Sequence, residues 1–175
     1  MIDLRGMTTP ALIDKHVRRF CRELSRVDPV FVAVEPELWC RQQNCEMNVD
    51  KFISANSGEK VIGYKIWYLP ESYIEAERHA ILRCDGELRD LTFNADGETS
   101  ILFVPDAQMV GFDARRPKVR VGLTGPARRA AQVFDAQDRR IAKASVEDSW
   151  NMMLTYEQWL AGERMGSLLT KLEHR

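Results

Sequence analysis

An α+β fold is predicted for this chain, an antiparallel sheet packed against helices, and three observations predict it. Apolar residues recur at helical spacing near the start. Strand-like runs broken by turn dipeptides then occupy the middle, and the last third returns to helical spacing. Helices and strands are segregated rather than alternating, which separates this class from a doubly wound parallel sheet.

Taken in order, Thr8-Thr9-Pro10 predicts a helix start, a hydroxyl N-cap with proline at the first helical position. Leu12, His16, Phe20, Cys21 and Leu24 form its inward stripe, and Lys15, Arg18, Arg19, Arg22 and Glu23 its wet side. Residues 30–34 read as a short buried strand after Pro29, and residues 35–39 as a connector. A second helix is predicted over residues 45–55, with Cys45, Val49, Phe52 and Ile53 inward. Asn56-Ser57-Gly58 ends it, Gly58 or Asn56 suiting a left-handed cap. Residues 61–69 are rich in β-branched and aromatic types and read as a strand.

Residues 73–83 and 87–93 flank Asp85-Gly86, a dipeptide suited to a two-residue type I′ turn because both positions tolerate positive φ. With that turn, Cys84 pairs with Glu87, Ile81 with Asp90 and His79 with Thr92. Residues 100–104 make another strand, stopped by Pro105. Beyond it a strand over 118–123 and a helix over 127–134 are expected. Residues 145–174 then read as one or two helices broken near Gly162 or Gly166, with Trp150, Met153, Leu154, Trp159, Leu160, Met165, Leu168, Leu169 and Leu172 on the apolar face.

At 175 residues the chain is read as one domain, 1–175, with a core over about 28–106 and a helical extension over about 107–175. A net charge of −1 gives no overall pull towards nucleic acid or anionic lipid. No apolar run approaches the roughly 20 residues needed to cross a bilayer. Residues 1–6 lack the pattern of a secretory signal, and Cys21, Cys40, Cys45 and Cys84 are therefore read as free thiols of a cytoplasmic protein.

The chemistry concentrates around the hairpin. Side chains on a strand alternate faces, so His79, Ile81, Asp90 and Thr92 share one face, and His79 lies diagonally from Asp90. A carboxylate beside an imidazole fixes its tautomer and raises its basicity. Cys45 heads a predicted helix, where the dipole and the free N–H groups favour a thiolate and can hold an oxyanion. The candidate catalytic residues are thus Cys45 as nucleophile, His79 as base and Asp90 as its orienter.

This order resembles the core of transglutaminase-like and papain-like cysteine hydrolases: a cysteine at a helix start, His79-Ala80 on a strand, then Gly86-Glu87-Leu88-Arg89-Asp90-Leu91-Thr92. Residues 45–106 also resemble an uncharacterised bacterial family with the same Cys, His-Ala, Gly, Asp, Thr order. Ile81 stands where transglutaminase-like proteins often carry a tryptophan. The resemblance implies a papain-like or transglutaminase-like core and amide or ester chemistry through a thioacyl intermediate, not any particular substrate; a protein or peptide substrate or partner and no cofactor are expected. The competing reading is a non-enzymatic interaction module on the same fold.

Zinc is the other chemistry these residue types suggest, through Cys40-x₄-Cys45 and His79-x₄-Cys84. It is disfavoured, because residues five apart on an extended strand face opposite ways and lie roughly 16 Å apart. No metal is therefore expected. Between Arg115 and Lys143, Arg115, Arg116, Lys118, Arg120, Arg128, Arg129, Arg139, Arg140 and Lys143 face only Asp135 and Asp138. A solvated basic face is the simplest reading of that segment; nucleic acid is a second, disfavoured by the near absence of aromatic residues among the charges. Glu75 and Glu77, on the face of His79, read as solvated edge carboxylates.

Overall fold

The computed structural model describes residues 3–4, 6–106, 108, 111, 117–140 and 145–165. Among these the order is α1 (Lys15–Leu24), β1 (Val30–Val34), α2 (Cys45–Ala55), β2 (Glu59–Leu69), β3 (Tyr73–Cys84), β4 (Glu87–Asp90), β5 (Ser100–Pro105), β6 (Val119–Gly122), α3 (Gly125–Asp138), α4 (Val146–Met152) and α5 (Tyr156–Leu160). The class is α+β. No helix among the described residues is long and apolar enough to cross a membrane.

The long strands β2 and β3 pair along their whole length, from Glu59↔Arg83 to Leu69↔Tyr73. The second edge of β2 takes β5, and the sheet then runs through β1 and β4 back to β3. It closes into a small barrel. Closure needs a glycine at Gly63, where a Cβ would sit 2.2 Å from the carbonyl oxygen of Val104 on β5. One pair departs from the antiparallel expectation: β1 runs parallel to β4, with Ala33↔Arg89 and Val34↔Asp90 in register. α2 and the β2–β3 hairpin lie between those two strands in sequence, long enough for the chain to return in the same direction.

Val32, Val34, Val61, Ile81, Leu88, Ile101 and Phe103 come from all five barrel strands and fill the interior. Outside, α1 lays Val17, Phe20 and Cys21 on Tyr64, Ile66, Ile74, Leu102 and Val104. α2 packs Val49, Phe52 and Ile53 against Leu82 and Leu91. α3 sets Ala127 and Ala131 on Tyr73.

The departures from the sequence reading have local causes. α1 starts at Lys15, not after Thr8, because the Asp14 carboxylate accepts from the N–H groups of His16 and Val17. Thr8 instead bridges to Tyr68, and the Glu98 carboxylate binds the Thr8 hydroxyl and the Thr9 N–H. The shift turns Val17 inward in place of His16 and leaves Leu12 exposed. β1 buries only Val32; Val30 and Phe31 face solvent. Asn56 is extended, and Gly58 carries the positive φ after α2. β4 ends at Asp90 rather than Phe93, since the Thr92 N–H turns back to the Asp90 carboxylate. The last helical stretch breaks at residues 153–155, ahead of Gly162, where Thr155 caps α5 through a capping box. Gly166, Leu168, Leu169, Leu172, Arg115, Arg116 and Lys143 lie outside the described residues.

Candidate active site

The hairpin sets the base and the acid. Asp85 and Gly86 both have positive φ, +52° and +84°, and Cys84 pairs with Glu87, Arg83 with Leu88 and Leu82 with Arg89. Continued by parity, this register brings Asp90 opposite Ile81 and diagonal to His79. The two side chains meet there, with His79 Nε2 3.0 Å from Asp90 Oδ2 and both residues buried. The other carboxylate oxygen, Oδ1, accepts the Thr92 N–H at 2.8 Å. Phe103 packs its ring edge-on against His79 with centroids 6.5 Å apart, which holds the imidazole plane.

The third group comes from α2. One edge of β3 carries β6 along residues 73–76 and β4 along residues 82–84, and among the described residues no strand pairs with residues 77–81 on that side. His79 lies within this stretch. The Cys45 sulfur lies near enough to the same imidazole to act on its charge, while Nε2 is turned to Asp90. Burial disfavours a charged imidazole, but the Asp90 carboxylate and the Cys45 sulfur outweigh it and raise the His79 pKa to about 10. A cation therefore faces the sulfur at neutral pH.

Cys45 is the first residue of α2 and is buried, with 9% of its surface exposed. Asn44 occupies the N-cap position but makes no side-chain cap. Its amide is drawn elsewhere: Nδ2 donates to the Gln42 carbonyl at 3.0 Å, and Oδ1 accepts from the Ser149 hydroxyl at 3.1 Å. The first-turn N–H groups beside the sulfur are thus left uncapped, in the arrangement that suits a developing negative oxygen.

The sequence reading missed the parts that hold this site. Asn48, wholly buried on the inner face of α2, ties the helix to residues 41, 91 and 92. A polar residue between Cys45, Val49 and Phe52 was the available signal. The C-terminal extension braces the segment leading into Cys45. Arg41 bridges Thr155, the Gln42 N–H donates to the Leu154 carbonyl, and the Tyr156 and Glu157 N–H groups donate to Cys40 and Leu38. No local pattern announces those contacts.

The other candidates fall elsewhere. Cys40 packs in the apolar layer under α2 and Cys21 in that under α1; burial pushes both thiols up to about 12. Cys84 turns its thiol to the Ser57 carbonyl, 3.5 Å away, not to His79. Among the described residues no three His, Cys, Asp or Glu side chains are grouped to hold a metal. Glu75 and Glu77 are not solvated edge carboxylates. Glu75 is buried against Arg120, and Lys118 reaches both glutamates, at 2.7 and 3.0 Å. The cationic neighbours, Lys118 first, outweigh burial and hold the Glu77 carboxyl below its ordinary range. The basic segment is correspondingly reduced: Arg120 is spent on Glu75, Asp135 and Asp138, and Arg128, Arg129, Arg139 and Arg140 remain exposed.

No family model, no curated protein and no solved structure matches the chain.

Proposed function

We propose that the chain is a cysteine-dependent hydrolase or acyltransferase acting on amide bonds, with a core of the transglutaminase-like or papain-like kind. The observation that carries this reading is one imidazole held by a buried carboxylate at 3.0 Å with the sulfur of a helix N-terminus beside it. The Cys45 thiolate attacks the carbonyl carbon, and the carbonyl electron pair moves to oxygen, which the α2 N–H groups stabilise. The tetrahedral intermediate collapses with loss of the amine, which takes its proton from His79. Water or a second amine, deprotonated by His79, then displaces sulfur from the thioester and frees the thiolate. Asp90 orients the ring through its contact with Nε2.

Iodoacetamide at pH 6, read by peptide mass spectrometry, tests the first step. Cys45 is expected to label far faster than Cys21, Cys40 or Cys84, and His79→Gln to erase the preference. p-Nitrophenyl acetate should leave an acetyl group on Cys45 and none in Cys45→Ala. Equal, slow labelling of all four thiols would instead favour an interaction module presenting the exposed arginines of α3, which salt-sensitive retention on heparin would reveal.

A further inference from the structure

We propose that Asn48 and Thr92 are positioning residues that lock the helix of the nucleophile to the strand end of the acid, and so set how Cys45 meets His79. The inference rests on the cysteine-hydrolase reading above. It begins from an anomaly of position. Asn48 sits one turn after Cys45 on the face that buries Cys45 and Val49, and it is wholly inaccessible to solvent. Asparagine is a poor residue for a helix interior, and its amide is costly to bury unless every polar atom is matched.

Here every atom is matched, and the partners lie on both sides of the site. Oδ1 accepts from the Arg41 N–H at 2.8 Å, and Nδ2 donates to the Arg41 carbonyl, also at 2.8 Å. The amide thus grips one residue of the loop that feeds α2 by both its backbone N–H and its backbone carbonyl. The same Nδ2 reaches the Leu91 carbonyl at 3.3 Å and the Thr92 hydroxyl at 3.1 Å. Thr92 in turn donates its N–H to Asp90 Oδ1 at 2.8 Å, while Asp90 Oδ2 meets His79.

The contacts close on themselves. From Cys45 the path runs along one turn of α2 to Asn48, then through hydrogen bonds to Thr92, Asp90 and His79, whose imidazole lies beside the sulfur. Around such a loop no member can shift without stretching another. β4 leaves β3 at this point and Asp90 keeps only Val34 of β1 as its strand partner, and neither strand pairs with the helix that carries the sulfur. The Asn48–Thr92 bond supplies that tie. An amide serving only to fill the core would hold the fold together without affecting how the imidazole meets the sulfur.

The test measures Cys45 alkylation by iodoacetamide from pH 5 to pH 10 in the full chain, with melting temperature recorded in parallel. Thr92→Val removes the hydroxyl at nearly constant volume, Thr92→Ser restores it, and Asn48→Ala removes the amide. Thr92→Val and Asn48→Ala are expected to label Cys45 about tenfold more slowly at pH 6, yet within about twofold of the parent at pH 10, with Thr92→Ser close to the parent throughout. Profiles of Thr92→Val and Thr92→Ser that both superimpose on the parent would overturn the proposal even if the melting temperature falls. That pair decides the matter alone if Asn48→Ala does not fold. A parent chain in which Cys45 labels no faster than Cys84 at pH 6 would sink the hydrolase reading itself, and this inference with it.

Discussion

His79 is the residue whose protonation most clearly ties stability to the site. Its pKa rises from 6.5 to about 10 on folding, because Asp90 and Cys45 together overcome the burial that opposes its charge. The folded chain therefore binds this proton more tightly than the unfolded chain does. The stabilisation is complete below pH 6.5 and is lost as pH rises through about 10. Buried Cys21 and Cys40, pushed up to about 12, add their own alkaline loss. Comparison with His79→Gln separates the two sources. Urea unfolding at pH 7 and pH 9.5 should show the parent losing more stability over that interval than the variant, and equal losses would contradict the assigned shift. Cys45, His79 and Asp90 were legible as candidates because an imidazole, a carboxylate and a thiol at those spacings are few in the chain. Asn48 and Thr92 were not, since their partners lie on other elements.

Among the elements, the β3–β4 hairpin was the most legible, and the reason is that its register is local. Two residues with positive φ decide it, and alternation then places His79 and Asp90 on one face without help from the rest of the chain. The β2–β5 contact is of another kind. Gly63 is demanded by a neighbouring backbone, not by its own dihedral angles, and nothing beside it in sequence says so. Gly63→Ala is expected to cost about 3 kcal/mol, at the upper end of overpacking effects, because the obstacle is the Val104 carbonyl. Gly86→Ala meets open space and should cost only about 1 kcal/mol, the strain of a left-handed alanine. Chemical denaturation of both variants checks the order; a larger loss at Gly86 would refute the steric account of barrel closure. α1 shows the opposite limit of legibility, since a plausible cap at Thr8 yielded to a better one at Asp14 once Thr8 was taken by Tyr68.

For the molecule as a whole, a buried charge network joins the barrel to its C-terminal half. Arg120 on β6 lies within 2.9 Å of Glu75 on β3 and binds Asp135 and Asp138 at the end of α3, while Tyr73 donates its hydroxyl to Glu75 at 3.0 Å. Removing Arg120 leaves buried Glu75 with only Lys118 and Tyr73 as donors, so Arg120→Met should destabilise the chain by about 2 kcal/mol. Arg128→Ala and Arg129→Ala, on the exposed side of α3, should stay within about 0.5 kcal/mol of the parent. Unfolding midpoints of the three variants test this, and an Arg120 variant as stable as the parent would show that the network does not hold β6 and α3 to the barrel. The segment that composition suggested as one basic face is thus divided, part built into the core and part left in water.

By itself the sequence determined the α+β class, the helix that begins at Cys45, and the hairpin parity that brings His79 to Asp90. Those features depend on residues a few positions apart, where periodicity and turn chemistry act directly. Tertiary structure alone decided that the sheet closes, that β1 lies parallel to β4, and that residues 153–157 brace the approach to Cys45. Each of these is a pairing between segments distant in sequence, chosen by which buried polar groups find partners once the chain is folded.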